Sequence, residues 1–228
     1  VAKANPSLVG DLGLAFVLFS GYTYRMGNAT TLAVSVAVLA GGQSRRMGRD
    51  KAFLPVGGRP VVERVLERVA PLSDDVLLIA NTHAPYAHLA ARLVSDVYPG
   101  KGSLGGIYTA LQAARYGTCL VVACDMPFLN SDLLRYLIGL APGYDVVIPR
   151  VEEFPETLHA VYGKRCLDPI QRRLLAGRLK IIGFFDEVRV RYVERDDIAR
   201  FDPQFRSFMN MNTPADWERI QQLAMQEG

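Results

Sequence analysis

Cysteine is scarce. The chain of 228 residues holds three, Cys119, Cys124 and Cys166. An odd count with no CxxC pair excludes a disulfide framework and a zinc site, and points to a reducing compartment, the cytoplasm. Histidine is as sparse, and His83, His88 and His159 have no metal-ligand spacing. Charge of one sign is also missing: 26 Lys and Arg against 23 Asp and Glu leave +3. That bias is too small to draw the chain to nucleic acid or to a membrane surface. No apolar run is long enough to cross a bilayer, since Asp11 interrupts the most apolar early stretch, 8–22. Lys3 ahead of that stretch has the look of a signal peptide, but the cleavage site is poor. Internal repeats, linkers and low-complexity tracts are absent from the sequence. What remains is an ordinary globular composition, half of it hydrophobic, long enough to bury a core without staples.

From Leu32 onward strands and helices alternate. Leu32 to Leu39, Val76 to Ala80 and Cys119 to Cys124 are short, nearly unbroken apolar runs, the pattern of strands buried on both faces. Asp145 to Pro149 and Thr157 to Tyr162 are two more strands. Val188 to Val193 alternates and reads as half-buried. Between them, apolar residues three and four apart mark helices: after Pro60, over Ala84 to Arg92, from Leu104, and from a cap at Asn130 or Ser131. Asp168-Pro169 opens another, and Thr213-Pro214-Ala215-Asp216 caps a last one through Trp217, Ile220 and Leu223. Repeated β-α-β order makes a mostly parallel sheet with helices on both faces, an α/β/α sandwich of three layers. The reading is one domain over residues 32–228. Residues 1–31 are a disordered tail or a start-site overcall, with Met26 as the alternative start.

The densest chemistry follows the first strand: Leu39-Ala40-Gly41-Gly42-Gln43-Ser44-Arg45-Arg46-Met47-Gly48-Arg49-Asp50-Lys51. Ligands of open α/β sheets bind beyond the carboxyl ends of the strands, where this loop lies. Adjacent glycines let backbone N–H groups approach a phosphate chain. Arg45, Arg46, Arg49 and Lys51 add cationic donors suited to a triphosphate. The spacing is neither a Walker loop nor GxGxxG. Asp125, after the third buried strand, is a hard oxygen donor facing the same crevice and suits Mg²⁺. Cys124 beside it reads as core. Asn81 and Asp96 each follow a strand, as binding or turn residues. Asn210 and Asn212 precede a helix N-terminus, as anion-side groups or turn residues. Trp217 reads as core, and Arg178 and Lys180 as a solvated pair.

The loop from Leu39 to Lys51 resembles the signature of the molybdenum cofactor guanylyltransferases, the bacterial MobA-type members of the Rossmann-like nucleotidyltransferases. Further matches follow in order: Asn81, Asp96 before Tyr98-Pro99-Gly100, Gly102-Ser103-Leu104-Gly105-Gly106, Cys124-Asp125-Met126-Pro127, and Asn210-Met211-Asn212-Thr213-Pro214. The resemblance spans about residues 33 to 224. Ser103 departs from it, standing where the family usually has Pro.

The resemblance implies a Rossmann-like nucleotidyltransferase fold and transfer of GMP from GTP to the terminal phosphate of molybdenum-molybdopterin. The products are the guanine dinucleotide cofactor and pyrophosphate. It implies Mg²⁺ on Asp125, and Arg46, Lys51 and Asp125 as catalytic residues. It implies ligand contacts from Leu39, Ala40, Gly41, Gly42, Lys51, Asn81, Asp96, Asp125, Asn210 and Asn212, and Asn210 and Asn212 are expected to seat the acceptor rather than GTP. It also implies a basic loop facing the pterin, where Arg178 and Lys180 stand, and molybdoenzymes or their chaperones as partners. Two alternatives remain: a sister nucleotidyltransferase using CTP or a sugar phosphate, and a non-catalytic nucleotide-binding partner of molybdoenzymes. Gly41-Gly42, where cytidylyltransferases tend to have Ala-Gly, opposes the first. Lys51 and Asp125 oppose the second.

Overall fold

The structure, a computed structural model, describes residues 15–19, 22–26, 33–40 and 51–226. The chain divides into two units, Val1–Leu32 and Ala33–Gly228. In the first, β1 (Ala15–Phe19) and β2 (Tyr22–Met26) pair antiparallel. This hairpin stands where the sequence reading gave a tail without strand pattern.

The second unit is built on a seven-stranded sheet. Its strands are β3 (Ser35–Leu39), β6 (Val76–Ile79), β7 (Arg92–Val94), β8 (Thr118–Ala123), β9 (Val146–Arg150), β10 (His159–Gly163) and β11 (Val190–Glu194), in the order β11-β9-β10-β8-β3-β6-β7. A two-stranded ribbon, β4 (Pro55–Val56) with β5 (Arg59–Pro60), lies outside it. β7, β6, β3 and β8 pair in parallel, as do β9 and β11; β10 runs antiparallel between β8 and β9. The helices are α1 (Val61–Val69), α2 (Gly102–Ala113), α3 (Ser131–Gly139), α4 (Leu167–Leu175), α5 (Arg195–Ala199) and α6 (Pro214–Ala224).

Alternation along each strand divides the core. Val36 and Val38 of β3, with Leu120 and Val122 of β8, face one layer, packed under Val65 of α1, Leu134 of α3 and Ile220 of α6. Ala37, Leu39, Cys119 and Val121 face the other, under Ile107 and Leu111 of α2 and Ile170 of α4. Both faces of β3 and β8 are therefore apolar, which is why these strands read as unbroken runs.

Two sequence expectations need correction. Ala84 to Arg92 is not a helix: one 3-10 turn, Ala84–Tyr86, leads through bends to β7. Pro85 occupies one of the first positions of that turn, where the missing N–H costs nothing. Asp168 does not cap α4, which runs on from a 3-10 turn at Lys164–Cys166 with Asp168 inside its first turn. The other caps fall as expected. The Asn130 side chain accepts from the amides of Asp132 and Leu133, and Thr213 and Asp216 form a reciprocal capping box.

Candidate active site

The strand order reverses at β3, with β6 on one side and β8 on the other. In an open parallel sheet, the crevice beyond the carboxyl ends of such strands is where ligands bind. The sheet's register lines up the residues that leave it. The Ala40 amide donates to Ile79 O at 2.9 Å, Ala80 to Val94 O at 2.9 Å, and Cys124 to Leu39 O at 3.1 Å. Ala40, Asn81, Asp96 and Asp125 thus emerge along one rim. Leu39 lies beneath it: the side chain is core, and its carbonyl is taken by Cys124.

Close packing at that rim explains the paired glycines of α2. A Cβ on Gly106 would lie 3.0 Å from the Leu39 side chain, and one on Gly105 would lie 3.1 Å from the Tyr98 carbonyl. The first turn of α2 can therefore press against the end of β3.

Lys51 begins a 3-10 turn, Lys51–Phe53, anchored by the fully buried Ala52. Its Nζ donates to Asn212 Oδ1 at 3.3 Å. The amide of Met211, next in the chain, donates to the main-chain carbonyl of Asp125 at 3.2 Å. Burial pushes the half-buried Asp125 carboxyl above its ordinary value, and the Lys51 ammonium pulls it back. A cation beside this carboxylate is thus already part of the site. A single hard oxygen donor next to room for phosphates is the donor set Mg²⁺ uses, completed by water and substrate oxygens. Asp125 fits that ion, and no grouping of three or more His, Cys, Asp or Glu forms a metal cage among the described residues.

Asn81 and Asp96 form a second pair. Asn81 Nδ2 donates to Asp96 Oδ2 at 2.9 Å, and the Asp96 amide donates to Asn81 Oδ1 at 2.9 Å. The other carboxylate oxygen, Asp96 Oδ1, is sealed from solvent without a hydrogen-bond partner among the described residues. A shielded, unpaired acceptor suits a ligand N–H or hydroxyl. Asn210 is turned elsewhere: its Nδ2 donates to Phe208 O at 3.1 Å, within its own turn. Gly41, Gly42 and Arg46 lie outside the described residues.

Beside the crevice is a cleft of about 360 Å³, lined by Lys101 and Ser103 at the start of α2, Phe154, Pro155 and Thr157 between β9 and β10, and Leu179 to Ile182 after α4. It adjoins β8, because the Ala123 amide donates to Leu158 O at 3.1 Å. Apolar Pro155, Leu179, Ile181 and Ile182 line it alongside Lys101 and Lys180, and Phe154 is 74% exposed. No sequence signal marked Phe154 or Pro155.

The geometry has close parallels. Residues 36–188 match the model of the MobA-like NTP transferase domain. The chain belongs to that family. It is similar to the "Probable molybdenum cofactor guanylyltransferase" of Pelotomaculum thermopropionicum, 38% identical over 193 residues, covering 85% of this chain and 94% of that protein. It is also similar to the molybdenum cofactor guanylyltransferase of Desulfosudis oleivorans, 38% identical over 83% of this chain and 95% of that one. Among solved structures, molybdopterin-guanine dinucleotide biosynthesis protein A from Archaeoglobus fulgidus superposes with a TM-score of 0.75 at 32% identity, covering 84% of this chain and 99% of that one. The MobA-like chain is therefore a nucleotidyltransferase with a Rossmann-like sheet, and the crevice at β3 and β8 is its candidate active site.

Proposed function

We propose that this nucleotidyltransferase moves GMP from GTP to the terminal phosphate of molybdenum-molybdopterin, releasing pyrophosphate. The observation that carries the reading is the meeting of Lys51 and Asp125 at the strand-order reversal, in a chain whose relatives bear the name guanylyltransferase. The acceptor's phosphate oxygen attacks the α-phosphorus of GTP, a new P–O bond forms, and the α–β bridging bond opposite it breaks. Such a transfer asks the protein mainly for positioning and charge neutralisation. Lys51 and the amides of the Gly41-Gly42 loop receive the charge of the departing pyrophosphate, with Arg46 as a further cation. Asp96 Oδ1, held in place by Asn81, takes the guanine N–H edge or a ribose hydroxyl. The cleft under Phe154 seats the acceptor, its apolar wall against the ring system and Lys101 and Lys180 near the phosphate.

Asp125 would hold Mg²⁺, which when bound neutralises phosphate charge. Three cysteines with no disulfide among them support a cytoplasmic setting, and no helix of the described residues is long and apolar enough to cross a membrane. Molybdoenzymes or their chaperones would receive the product.

The test is a nucleotide panel. GTP with Mg²⁺ should raise the melting temperature more than CTP, UTP or ATP at equal concentration. Adding molybdopterin should release pyrophosphate from GTP alone. An equal or larger shift with CTP overturns the guanylyl assignment, because a buried acceptor left unpaired by the wrong base costs roughly 1–3 kcal/mol.

A further inference from the structure

Asn212 is held at three points. Before it, Met211 is fully buried, and its amide is bonded to the Asp125 carbonyl. At its own backbone, the Asn212 amide donates to Asp216 Oδ2 at 3.1 Å, the same oxygen that accepts the Thr213 amide at 2.7 Å. After it, the Asp216 amide returns a hydrogen bond to Thr213 Oγ1 at 3.1 Å. The capping box of α6 therefore fixes the backbone of Asn212 as well as the helix end. What this backbone presents is a carboxamide oxygen, and that oxygen accepts from the Lys51 ammonium.

Lys51 needs such a partner. A lysine is a point charge on a flexible stem, with three donors and no planar fork to preset its direction. One donor on Asn212 fixes the head and leaves two N–H groups for phosphate oxygens. Asp125 and Asp216 both lie within the field of the same ammonium. The head is thus drawn toward the end of β8 and the start of α6 together.

We propose that Asn212 is the positioning residue for Lys51, and acts on the triphosphate of the nucleotide through it, not on the acceptor. The proposal rests on reading Lys51 as the cation for that triphosphate. It reverses the expectation that places Asn212 on the acceptor side.

The experiment measures GTP and GMP binding calorimetrically with the full chain, in wild type, Asn212→Ala, Lys51→Ala and the double variant, with the acceptor KM alongside. The backbone bonds of residue 212 survive the alanine, so the variant should melt with wild type. Asn212→Ala should weaken GTP binding about tenfold and leave GMP nearly unchanged, the scale of one lost charge-assisted hydrogen bond. In the Lys51→Ala background the same substitution should add nothing. If Lys51→Ala leaves GTP binding intact, the reading of Lys51 fails and the proposal with it. If Lys51→Ala weakens GTP but Asn212→Ala does not, or the two effects simply add, the positioning role alone is overturned. A raised acceptor KM with unchanged GTP binding overturns it as well and returns Asn212 to the acceptor.

Discussion

At Asp125 two forces oppose each other. Removal from water favours the neutral acid, and Lys51 favours the carboxylate. A carboxylate that must be ionised to work loses activity as pH falls through its pKa. Lys51→Ala removes the lowering influence, so the acid limb of kcat/KM for GTP should move to higher pH on the residual activity. A limb that stays in place assigns it to another group. Asp125→Asn, which cannot ionise, should cost at least about a hundredfold in turnover, as for other groups that stabilise developing charge. The place of Asp125 was legible because it follows a recognisable buried strand. The contact of Lys51 with Asn212 was not, because 161 positions separate them and no local pattern reports such a pair.

Among the elements, the opposite end of the sheet is held by one carboxylate. Asp75, 2% exposed, accepts from Ser35 Oγ at 2.6 Å, from Arg92 at 2.8 Å and from the Arg115 amide at 2.9 Å. These partners belong to the start of β3, the start of β7 and the approach to β8, so four strand ends share one hub. Burial alone would raise the Asp75 carboxyl; the bonds from Ser35, Arg115 and Arg92 more than offset it and leave it below its ordinary value. Its contribution to stability is therefore present above the ordinary carboxylate range and fades as pH falls below it. Asp75→Ala should destabilise by about 3 kcal/mol, lowering the melting temperature by roughly 6–12 °C, with nucleotide binding kept in the folded fraction. A shift within a degree would show that the hub carries no load. The elements themselves were mostly legible, since buried runs and caps are local signals. Residues 84–92 failed because apolar spacing there imitates a helix, whereas the chain makes one 3-10 turn and then bends toward β7.

For the molecule as a whole, one buried base adds a second source of acid lability. His159 on β10 is fully buried, and its ring lies 4.6 Å from that of Phe208. Burial lowers its pKa to about 4, against the opposing pull of Asp202 and of the Ser207 backbone. The unfolded chain takes up a proton near pH 6.5 and the native one only near 4, so stability falls as pH drops through that window, by roughly 3 kcal/mol at its end. His159→Phe should flatten this stretch of the urea-denaturation profile. An unchanged slope would acquit the histidine. Sequence could not reveal this burial, because Thr157 to Tyr162 gives no sign of running antiparallel between β8 and β9. Strand order and direction are settled by long-range pairing, which periodicity does not encode.

The lysine–asparagine contact also orders events during synthesis. Every strand of the sheet has been synthesised once Glu194 is made, and the second core layer, through Phe185, is made before it. Asn212 and the capping box at Thr213 and Asp216 come later. Fewer than twenty residues separate Glu194 from Asn212, less than the ribosomal exit tunnel holds, so the sheet is completed at about the time Lys51 gains its partner. If Asn212 positions Lys51, full-strength nucleotide binding waits on the emergence of α6, not on its synthesis.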